Sequence, residues 1–361
     1  MATDLADFAI LKAVEELAKA LSNGGTGRPH FEDTNYKAKE FDAANLRQLN
    51  PAAKKICFVD GGSAIIMEAP NFAIAAHRIH YSKYSGVTRE RTKLPNTMDF
   101  FSLTVSKYSQ GRINYETQVY YDDKDAARII PDKSDLIFDS FDKTMGSGPS
   151  RADISHVAMT AREFSEWRTL ALIAEYEDAE IIVRDGSLQA VKTNESKYAA
   201  DAFTACANRG IVLCGVSKTS TLLTTTGIPL LSAIESIANE NGFSGKSWLY
   251  KNIVEINNPE HNAEMFAAKL HPASQYVFRV EISKNSAEKA QDTINALAAN
   301  AADFSFPGYP YGLINADIMG RVPNDEAHYH RIKTMAAAGN TAKTLETNSK
   351  TRDAHDVLDS M

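Results

Sequence analysis

Apolar residues at helical spacing occupy the start of the chain. They fall within residues 4–22 and stop at Asn23-Gly24-Gly25, where glycine favours the end of a helix. The pattern predicts an amphipathic N-terminal helix, and its apolar stripe is made of Phe8, Leu11, Val14, Leu17 and Leu21. A second exposed apolar cluster around Phe100 and Phe101 is compatible with the sequence, and so is packing of both clusters within one chain.

Apolar runs and alternating segments predict a sheet after this helix. A run at 56–60 predicts the first strand, and three segments beyond Pro70 predict an antiparallel meander, at 72–79, 100–105 and 113–121. The patterns that follow predict a helix at 154–176, a strand at 180–185, a helix at 195–209 and a strand at 211–216. A meander followed by helix, strand, helix and strand is the order of a ribonuclease-H-like α/β core, a mixed sheet flanked by helices.

The remaining segments are predicted to extend this core. Helical patterns cover 228–240, 286–302 and 311–322, strand patterns cover 249–256 and 276–282, and the polar stretch 339–351 favours a loop. A length of 361 residues is compatible with one elaborated domain or with two closely associated ones. We expect a single domain over 1–361, with an N-terminal helix at 1–25, a core at 50–220, and further strands and C-terminal helices at 221–361.

Two of the predicted strands end in the same way. Apolar residues lead to Asp60 and to Asp185, and small residues follow each aspartate at once. A buried strand that delivers a carboxylate to its exposed end suits a metal ion, whereas a single aspartate before glycine more often caps a turn. The matched pair favours two carboxylates that converge on one metal site, and therefore metal-dependent chemistry on phosphates.

A third carboxylate is expected from the helix at 154–176. Cleavage of a phosphodiester by two divalent ions needs several carboxylates, and Mg²⁺ and Mn²⁺ prefer oxygen ligands. Glu163 and Glu166 stand three residues apart, on one face of that helix. An arbitrary glutamate on a helix usually faces solvent, but an apolar stripe runs close to these two. Glu166 is slightly favoured over Glu163.

Three further features have both a structural and a functional interpretation. Lys218 follows a predicted strand and is either a surface lysine or a contact for the scissile phosphate. His355 stands four residues before Asp359 on a predicted terminal helix, where a histidine is usually just exposed. The aromatic segment 306–317 is either an ordered loop that leads into a helix or a platform for a base or a sugar.

Charge and composition narrow the function classes. A net charge of −7 argues against a protein that coats nucleic acid through bulk charge, although seven Lys/Arg residues between Arg78 and Arg112 are suited to guiding a polyanion. The sequence has no 18-residue apolar run and no basic-then-apolar start, so neither a membrane span nor a signal peptide is expected. Its three cysteines lie among apolar neighbours and favour reduced core residues, which indicates a cytoplasmic protein.

Taken together, these residues resemble the NurA family of archaeal nucleases. The similarity lies in the joint order of several short motifs over about residues 56–359. They are Val59-Asp60-Gly61-Gly62-Ser63, the helix with Arg162, Glu163 and Glu166, Val183-Arg184-Asp185-Gly186-Ser187-Leu188, Gly215-Val216-Ser217-Lys218-Thr219-Ser220, the segment from Tyr309 to Asp317, and His355-Asp356-Val357-Leu358-Asp359. One departure is the extra glycine at position 62, where Asp-Gly-Ser is the commoner family motif.

This resemblance implies a fold, an activity and partners. The fold would be ribonuclease-H-like, of the Argonaute PIWI type, in a homodimer. The activity would be Mn²⁺-dependent (or Mg²⁺-dependent) 5'–3' exonuclease and single-strand endonuclease action on DNA. The partner would be a HerA-type hexameric ATPase in the resection of DNA double-strand-break ends. Metal ligands would be Asp60, Glu163 or Glu166, Asp185 and His355, while Lys218 and Tyr311 would line the site.

Two other classes remain open at the level of the sequence. A non-catalytic module that binds DNA ends and loads a translocase is compatible with the same residues, although three acidic positions make it less favoured. An actin-like phosphotransferase would need a nucleotide-phosphate loop, and neither Asp-Gly segment matches one. Metal-dependent digestion of end-labelled DNA distinguishes a nuclease from the non-catalytic module.

Overall fold

A computed structural model describes residues 2–22, 25–109, 111–146, 150–303 and 306–349. The strands are β1 (Tyr36–Ala38), β2 (Leu46–Gln48), β3 (Lys55–Ala69), β4 (Phe72–Ser85), β5 (Thr88–Glu90), β6 (Thr97–Ser109), β7 (Arg112–Tyr120), β8 (Ile137–Asp139), β9 (Ile181–Asp185), β10 (Val212–Ser217), β11 (Trp248–Tyr250), β12 (Val254–Ile256), β13 (Ala263–Lys269) and β14 (Phe278–Ser283). The helices are α1 (Ala2–Ser22), α2 (Ile154–Tyr176), α3 (Glu195–Asn208), α4 (Leu230–Ala238), α5 (Ala290–Asn300), α6 (Tyr311–Gly320) and α7 (Asn324–Ala338).

One large mixed sheet contains all of these strands except β1 and β12, which pair with each other. Its strand order is β2-β11-β13-β14-β10-β9-β3-β4-β6-β7-β8, and β5 pairs with β4 at the side. Strand β9 runs parallel to both β3 and β10, while the pairs from β3 through β8 and from β10 through β2 are antiparallel. The prediction of an α/β fold with a mixed sheet flanked by helices is therefore confirmed.

The central strands are buried on both faces, which explains their continuous apolar runs. Cys57 and Val59 of β3 point into a cluster that contains Trp167 and the rest of the apolar side of α2. Ile56 and Phe58, which alternate with them, point into a second cluster formed with α5 and α6. Successive residues of β3 therefore face opposite helical layers, and this alternation decides where Asp60 points.

Strand β3 is longer than the sequence predicts. The apolar run ends at Asp60, but the strand continues to Ala69 because β4 pairs with it along its whole length. Asp60 consequently lies within a strand, and the prediction of an exposed strand end at this position is wrong. Asp185, by contrast, is the last residue of β9, as predicted.

Other predicted elements are confirmed or corrected. The meander is confirmed as β4, β6 and β7, and the helix predicted at 154–176 is α2. The strand predicted at 249–256 is two strands, β11 and β12, separated at Asn252, which has a positive φ of 56°. Strand β13 was missed, and the predicted loop at 339–351 is a 3-10 turn followed by helix as far as residue 349.

The N-terminal helix is confirmed as α1. Its described side chains, at positions 8–19, are all exposed. Phe100 and Phe101 do not form a second exposed cluster, because Phe100 is 1% exposed and packs on His77. None of the described helices has the length and apolarity that a membrane crossing requires.

Candidate metal centre

Three aspartates from three different elements meet on one face of the sheet. Asp60 comes from β3, Asp185 from the end of β9 and Asp317 from α6, and an oxygen of each lies within 4.8 Å of the others. Asp60 shares its face with Phe58, and Asp185 shares its face with Val183, so both carboxylates point toward the layer of α5 and α6. The cluster therefore offers only carboxylate oxygens as ligand atoms.

The sheet register explains why the two strand aspartates are neighbours. The parallel pairing of β3 with β9 matches Val59 to Arg184, and Asp60 and Asp185 are the next residues on each strand. The carboxylates therefore project side by side at the point where β9 ends and β3 continues.

Helix α6 is brought to this point by close packing on β3. A Cβ at Gly312 would overlap the ring of Phe58, and a Cβ at Gly320 would stand 3.2 Å from the carbonyl oxygen of Asp60. A Cβ at Gly62 would collide with the carbonyl of Gly320. The extra glycine in the first motif thus lets α6 approach the strand and places Asp317 beside Asp60.

The cluster carries more negative charge than its surroundings compensate. Burial, then the negative charges of Asp185 and Glu166, raise the pKa of Asp60 to about 8, although Lys218 and a hydrogen bond from the Gly61 N–H (2.7 Å) act in the opposite direction. A buried carboxylate that retains its proton beside other negative charges is suited to a cation.

His80 does not supply that positive charge. It pairs with Asp60 across β3 and β4, and its Nδ1 lies 2.7 Å from the Thr97 hydroxyl. Burial, then the nearby Arg89 and Arg78, lower the pKa of His80 to about 4. The imidazole beside Asp60 is therefore neutral at pH 7.

Lys218 is the cation that the fold itself places at the cluster. Its Nζ lies 2.6 Å from Oδ2 of Asp185 and 3.1 Å from Oδ1 of Asp317, and its side chain is 40% exposed. Burial lowers the pKa of Lys218, but hydrogen bonds to both aspartates outweigh burial and raise it. Arg321 forms an ion pair with the other oxygen of Asp317.

The tyrosine in contact with the aspartates is Tyr309, where the sequence indicated Tyr311. The Tyr309 hydroxyl donates to Oδ1 of Asp185 (3.3 Å), and its ring lies 5.7 Å from Nζ of Lys218. Tyr311 is the first residue of α6 and packs edge-on against Tyr84, which pairs with Ile56 four residues before Asp60. The two tyrosines have different contacts because Tyr309 lies before α6, whereas Tyr311 is its first residue.

Glu166 lies on the other side of the sheet from the three aspartates. It is 3% exposed, forms an ion pair with Arg162, and has its Oε2 3.2 Å from Arg184. A Cβ at Gly61 would stand 2.7 Å from its Oε1, so the carboxylate rests against the strand residue next to Asp60. Its charge reaches Asp60 through the strand, but its oxygens are not part of the three-aspartate cluster.

Glu163 is turned away from the cluster. Its Oε2 lies 2.7 Å from Nζ of Lys192, and its Oε1 lies 3.5 Å from Arg162. Although Glu163 and Glu166 are three residues apart on α2, their carboxylates point in different directions, since Glu163 pairs with Lys192 and Glu166 pairs with Arg184. His355 and Asp359 lie outside the described residues.

Sequence reasoning missed Asp317 and Tyr309 as site residues. Both belong to the aromatic segment at 306–317, and Asp317 falls inside a helix that the sequence predicts. The available signal was a carboxylate six residues into that helix. Its meeting with Asp60 depends on how α6 packs on β3, which periodicity does not reveal.

The donor set determines which ion would fit. Three carboxylates offer oxygen ligands alone, which is the preference of Mg²⁺ and Mn²⁺ in proteins. Burial and the neighbouring carboxylates raise the pKa of Asp60, and Lys218 shows that a cation is stable between Asp185 and Asp317. The residues present therefore fit a divalent ion.

Comparisons with known proteins match one family model and several solved structures. The family model described as the NurA domain matches residues 54–319, a range that contains all three aspartates. The crystal structure of the NurA nuclease from Sulfolobus solfataricus is 14% identical, covers 92% of this chain and 96% of its own, and has a TM-score of 0.49. A second crystal structure of NurA is 7% identical, covers 95% and 99%, and has a TM-score of 0.47. No match was found among curated proteins.

Proposed function

This chain belongs to the NurA family, and from that premise we propose that it is a divalent-metal-dependent nuclease that hydrolyses DNA phosphodiesters. The observation that carries the proposal is the meeting of Asp60, Asp185 and Asp317 at one point of the sheet. The similar protein from Sulfolobus solfataricus is described as a nuclease, in agreement with this assignment.

Asp60, Asp185 and Asp317 would hold the metal. A bound divalent ion supplies an activated water and stabilises the leaving oxygen of the phosphodiester. Tyr309, which is itself buried, orients Asp185 through its hydroxyl. Glu166, which is paired with Arg162 and Arg184, raises the pKa of Asp60 from the other side of the sheet and need not supply a ligand atom.

Lys218 would contact the substrate phosphate. Its ammonium group already lies at the aspartates, and the exposure of its side chain leaves it free to turn toward a non-bridging phosphate oxygen. A lysine is a compact point charge and is well suited to this contact. Glu163 and Tyr311 have no such placement, and His355 lies outside the described residues, so the roles of all three stay predictions from the sequence.

The finer features of the activity are part of the same proposal. We propose a ribonuclease-H-like arrangement, Mn²⁺ as a cofactor at least as effective as Mg²⁺, and both 5'–3' exonuclease and single-strand endonuclease activity. A homodimer would work with a HerA-type hexameric ATPase in the resection of DNA double-strand-break ends. A single domain is supported by the sheet, which takes strands from both 50–220 and 221–361.

Digestion of end-labelled DNA tests the proposal. We expect cleavage by the wild-type chain with Mn²⁺, none in excess EDTA, and none for Asp60→Asn or Asp185→Asn. Asp178→Asn is the matched control, since Asp178 also flanks β9 but pairs with Lys55 at the far end of that strand. Binding of DNA ends without cleavage under any metal would instead favour a non-catalytic module that loads a translocase.

A further inference from the structure

The chain crosses the neighbouring strand directly after Asp185. The N–H of Gly186 donates to the carbonyl of Val216 on β10 (2.9 Å), and a Cβ at Gly215 would stand 2.6 Å from the carbonyl oxygen of Gly186. Because position 215 is a glycine, the turn passes close over β10 and reaches β14 on its far side.

Glu281 of β14 forms hydrogen bonds with this turn. Its Oε2 accepts hydrogen bonds from the Ser187 hydroxyl (2.9 Å) and from the Leu188 N–H (2.7 Å), and the residue is 1% exposed. Both donors lie within three residues of Asp185. Hydrogen bonds to a carboxylate are stronger than those between neutral groups, so the buried Glu281 fixes the backbone that follows Asp185.

Two basic side chains hold the Glu281 carboxylate in its charged form. Nε2 of His261 lies 3.0 Å from Oε2, and Nε of Arg279 lies 3.3 Å from Oε1. The hydroxyl of Tyr36 lies 2.8 Å from Nδ1 of His261, which fixes the imidazole from behind. Burial acts to raise the pKa of Glu281, but His261, Arg279 and the Leu188 N–H lower it to about 2.

The same network also reaches the strand end before Lys218. Arg279 donates from its NH2 group to the hydroxyl of Ser217 (3.1 Å), the last residue of β10. Glu281 and Arg279 together therefore connect β14 to the two chain segments that carry Asp185 and Lys218.

We propose that Glu281 is a positioning residue for the metal centre, which fixes the turn after Asp185 and so directs that carboxylate toward the metal. This inference rests on the proposed function, because it concerns a ligand of the same site. Residues that orient metal ligands affect metal affinity or activity about 10-fold to 100-fold when they are changed.

The test is Mn²⁺ binding to the full-length protein, measured by calorimetry and by the electron paramagnetic resonance of free Mn²⁺. Glu281→Gln keeps the shape of the side chain and removes its charge. We expect its Kd for Mn²⁺ to rise about 10-fold or more. Ser187→Ala removes one of the two hydrogen bonds and is expected to raise the Kd about 3-fold to 10-fold.

Glu177→Gln is the matched control. Glu177 is also fully buried and accepts backbone N–H groups of Lys93 and Leu94, but it follows α2 at the opposite end of β9. We expect Glu177→Gln to lower the melting temperature about as much as Glu281→Gln does, with no change in the Kd for Mn²⁺. Excess Mn²⁺ should restore cleavage by Glu281→Gln and leave its kcat near that of the wild type.

Wild-type Kd values for both Glu281→Gln and Ser187→Ala would overturn the proposal and leave Glu281 with a purely structural role. If Glu281→Gln does not fold, as judged by circular dichroism, Ser187→Ala decides alone. Absence of Mn²⁺ and Mg²⁺ binding by the wild-type chain would contradict the proposed function itself, a result distinct from the failure of Glu281 as a positioning residue.

Discussion

Asp60 retains its proton far above the range of an ordinary aspartate, so its contribution to stability depends on pH. Its folded pKa of about 8 exceeds the usual value of 3.8. A raised folded pKa gives stability that is present below about pH 4 and is lost as pH rises toward 8. In the absence of metal, the folded state is therefore weakened by this one carboxylate at neutral and alkaline pH.

Asp60→Asn should remove this effect. The amide cannot ionise, so we expect the metal-free variant to be more stable than the wild type at pH 8, by on the order of 2 kcal/mol after allowance for solvent screening. The difference should disappear toward pH 4. Thermal unfolding in EDTA between pH 4 and 8.5 measures it, with Asp178→Asn as a surface control. Parallel stability curves for wild type and Asp60→Asn would contradict the assignment of the raised pKa.

Asp317 is the carboxylate that the structure adds to the two predicted from the sequence. Asp317→Asn should abolish Mn²⁺ binding and DNA cleavage, because it removes one of three clustered carboxylates and leaves Lys218 with a single partner. Asp292→Asn is the control, since Asp292 is an exposed aspartate of the neighbouring α5. Calorimetry with Mn²⁺ and a cleavage assay are the measurements. Wild-type metal affinity in Asp317→Asn would leave the site to Asp60 and Asp185.

Single residues also show where sequence reasoning succeeds and where it fails. Asp60 and Asp185 were found because an apolar run before each of them is local information. Asp317, Tyr309 and the direction of Glu166 were not found, because they depend on the packing of α6 and α2 against opposite faces of the sheet. A period of 3.6 or 2 places a residue on a face, but it does not say which other element meets that face.

At the scale of the secondary-structure elements, the fold decides how many cations of the basic stretch at 78–112 are available to a ligand. Four of its seven cations are ion-paired with acidic partners, namely Arg78, Lys83, Lys107 and Arg112. Arg89, Arg91 and Lys93 are exposed and have no ion-pair partner among the residues that the structure describes. Arg89 lies on β5 and pairs with Tyr84, four residues or about 13 Å along β4 from His80. Free cations at this distance are suited to DNA phosphates next to the site.

Neutralising these three residues should reduce the salt dependence of DNA binding. Each phosphate contact contributes about 0.9 to the slope of log K against log salt for duplex DNA, so the triple change Arg89→Gln, Arg91→Gln and Lys93→Gln should lower the slope by up to about 3. The paired change Lys107→Gln and Arg112→Gln is the control, because both cations are already neutralised. Fluorescence anisotropy in EDTA measures the slope. An equal loss in both variants would remove the special role of the free cations.

At the scale of the whole molecule, α1 exposes a row of apolar side chains among its described positions 8–19. Phe8, Leu11, Val14 and Leu17 are between 55% and 67% exposed, while the side chain of Leu21 lies outside the described residues. Apolar area left in water costs about 25 cal/mol per Å². A second copy of the chain is the simplest cover for such a helix, since twofold dimers are the commonest soluble oligomers.

Light scattering at micromolar concentration should therefore give a mass of about two 39.6 kDa chains. Leu11→Glu with Val14→Glu should shift the protein to the monomer, because two charges would then lie within the apolar stripe. Lys12→Glu, an exposed change on the same helix, is expected to leave the dimer intact. A mass near one chain for the wild type would remove the dimer from the proposed function.

The two glycines after Asp60 have a consequence for how this protein tolerates mutation. Side chains of α2 lie against the strand at Gly61, and the backbone of α6 lies against it at Gly62. At these two positions no side chain of β3 separates the strand backbone from the helical layers. Random mutagenesis should find these positions intolerant for different reasons. A methyl group at 61 disturbs movable side chains, which a second mutation can relieve, whereas a methyl group at 62 meets rigid backbone. Evolutionary paths that keep the site should therefore pass more easily through position 61 than through position 62.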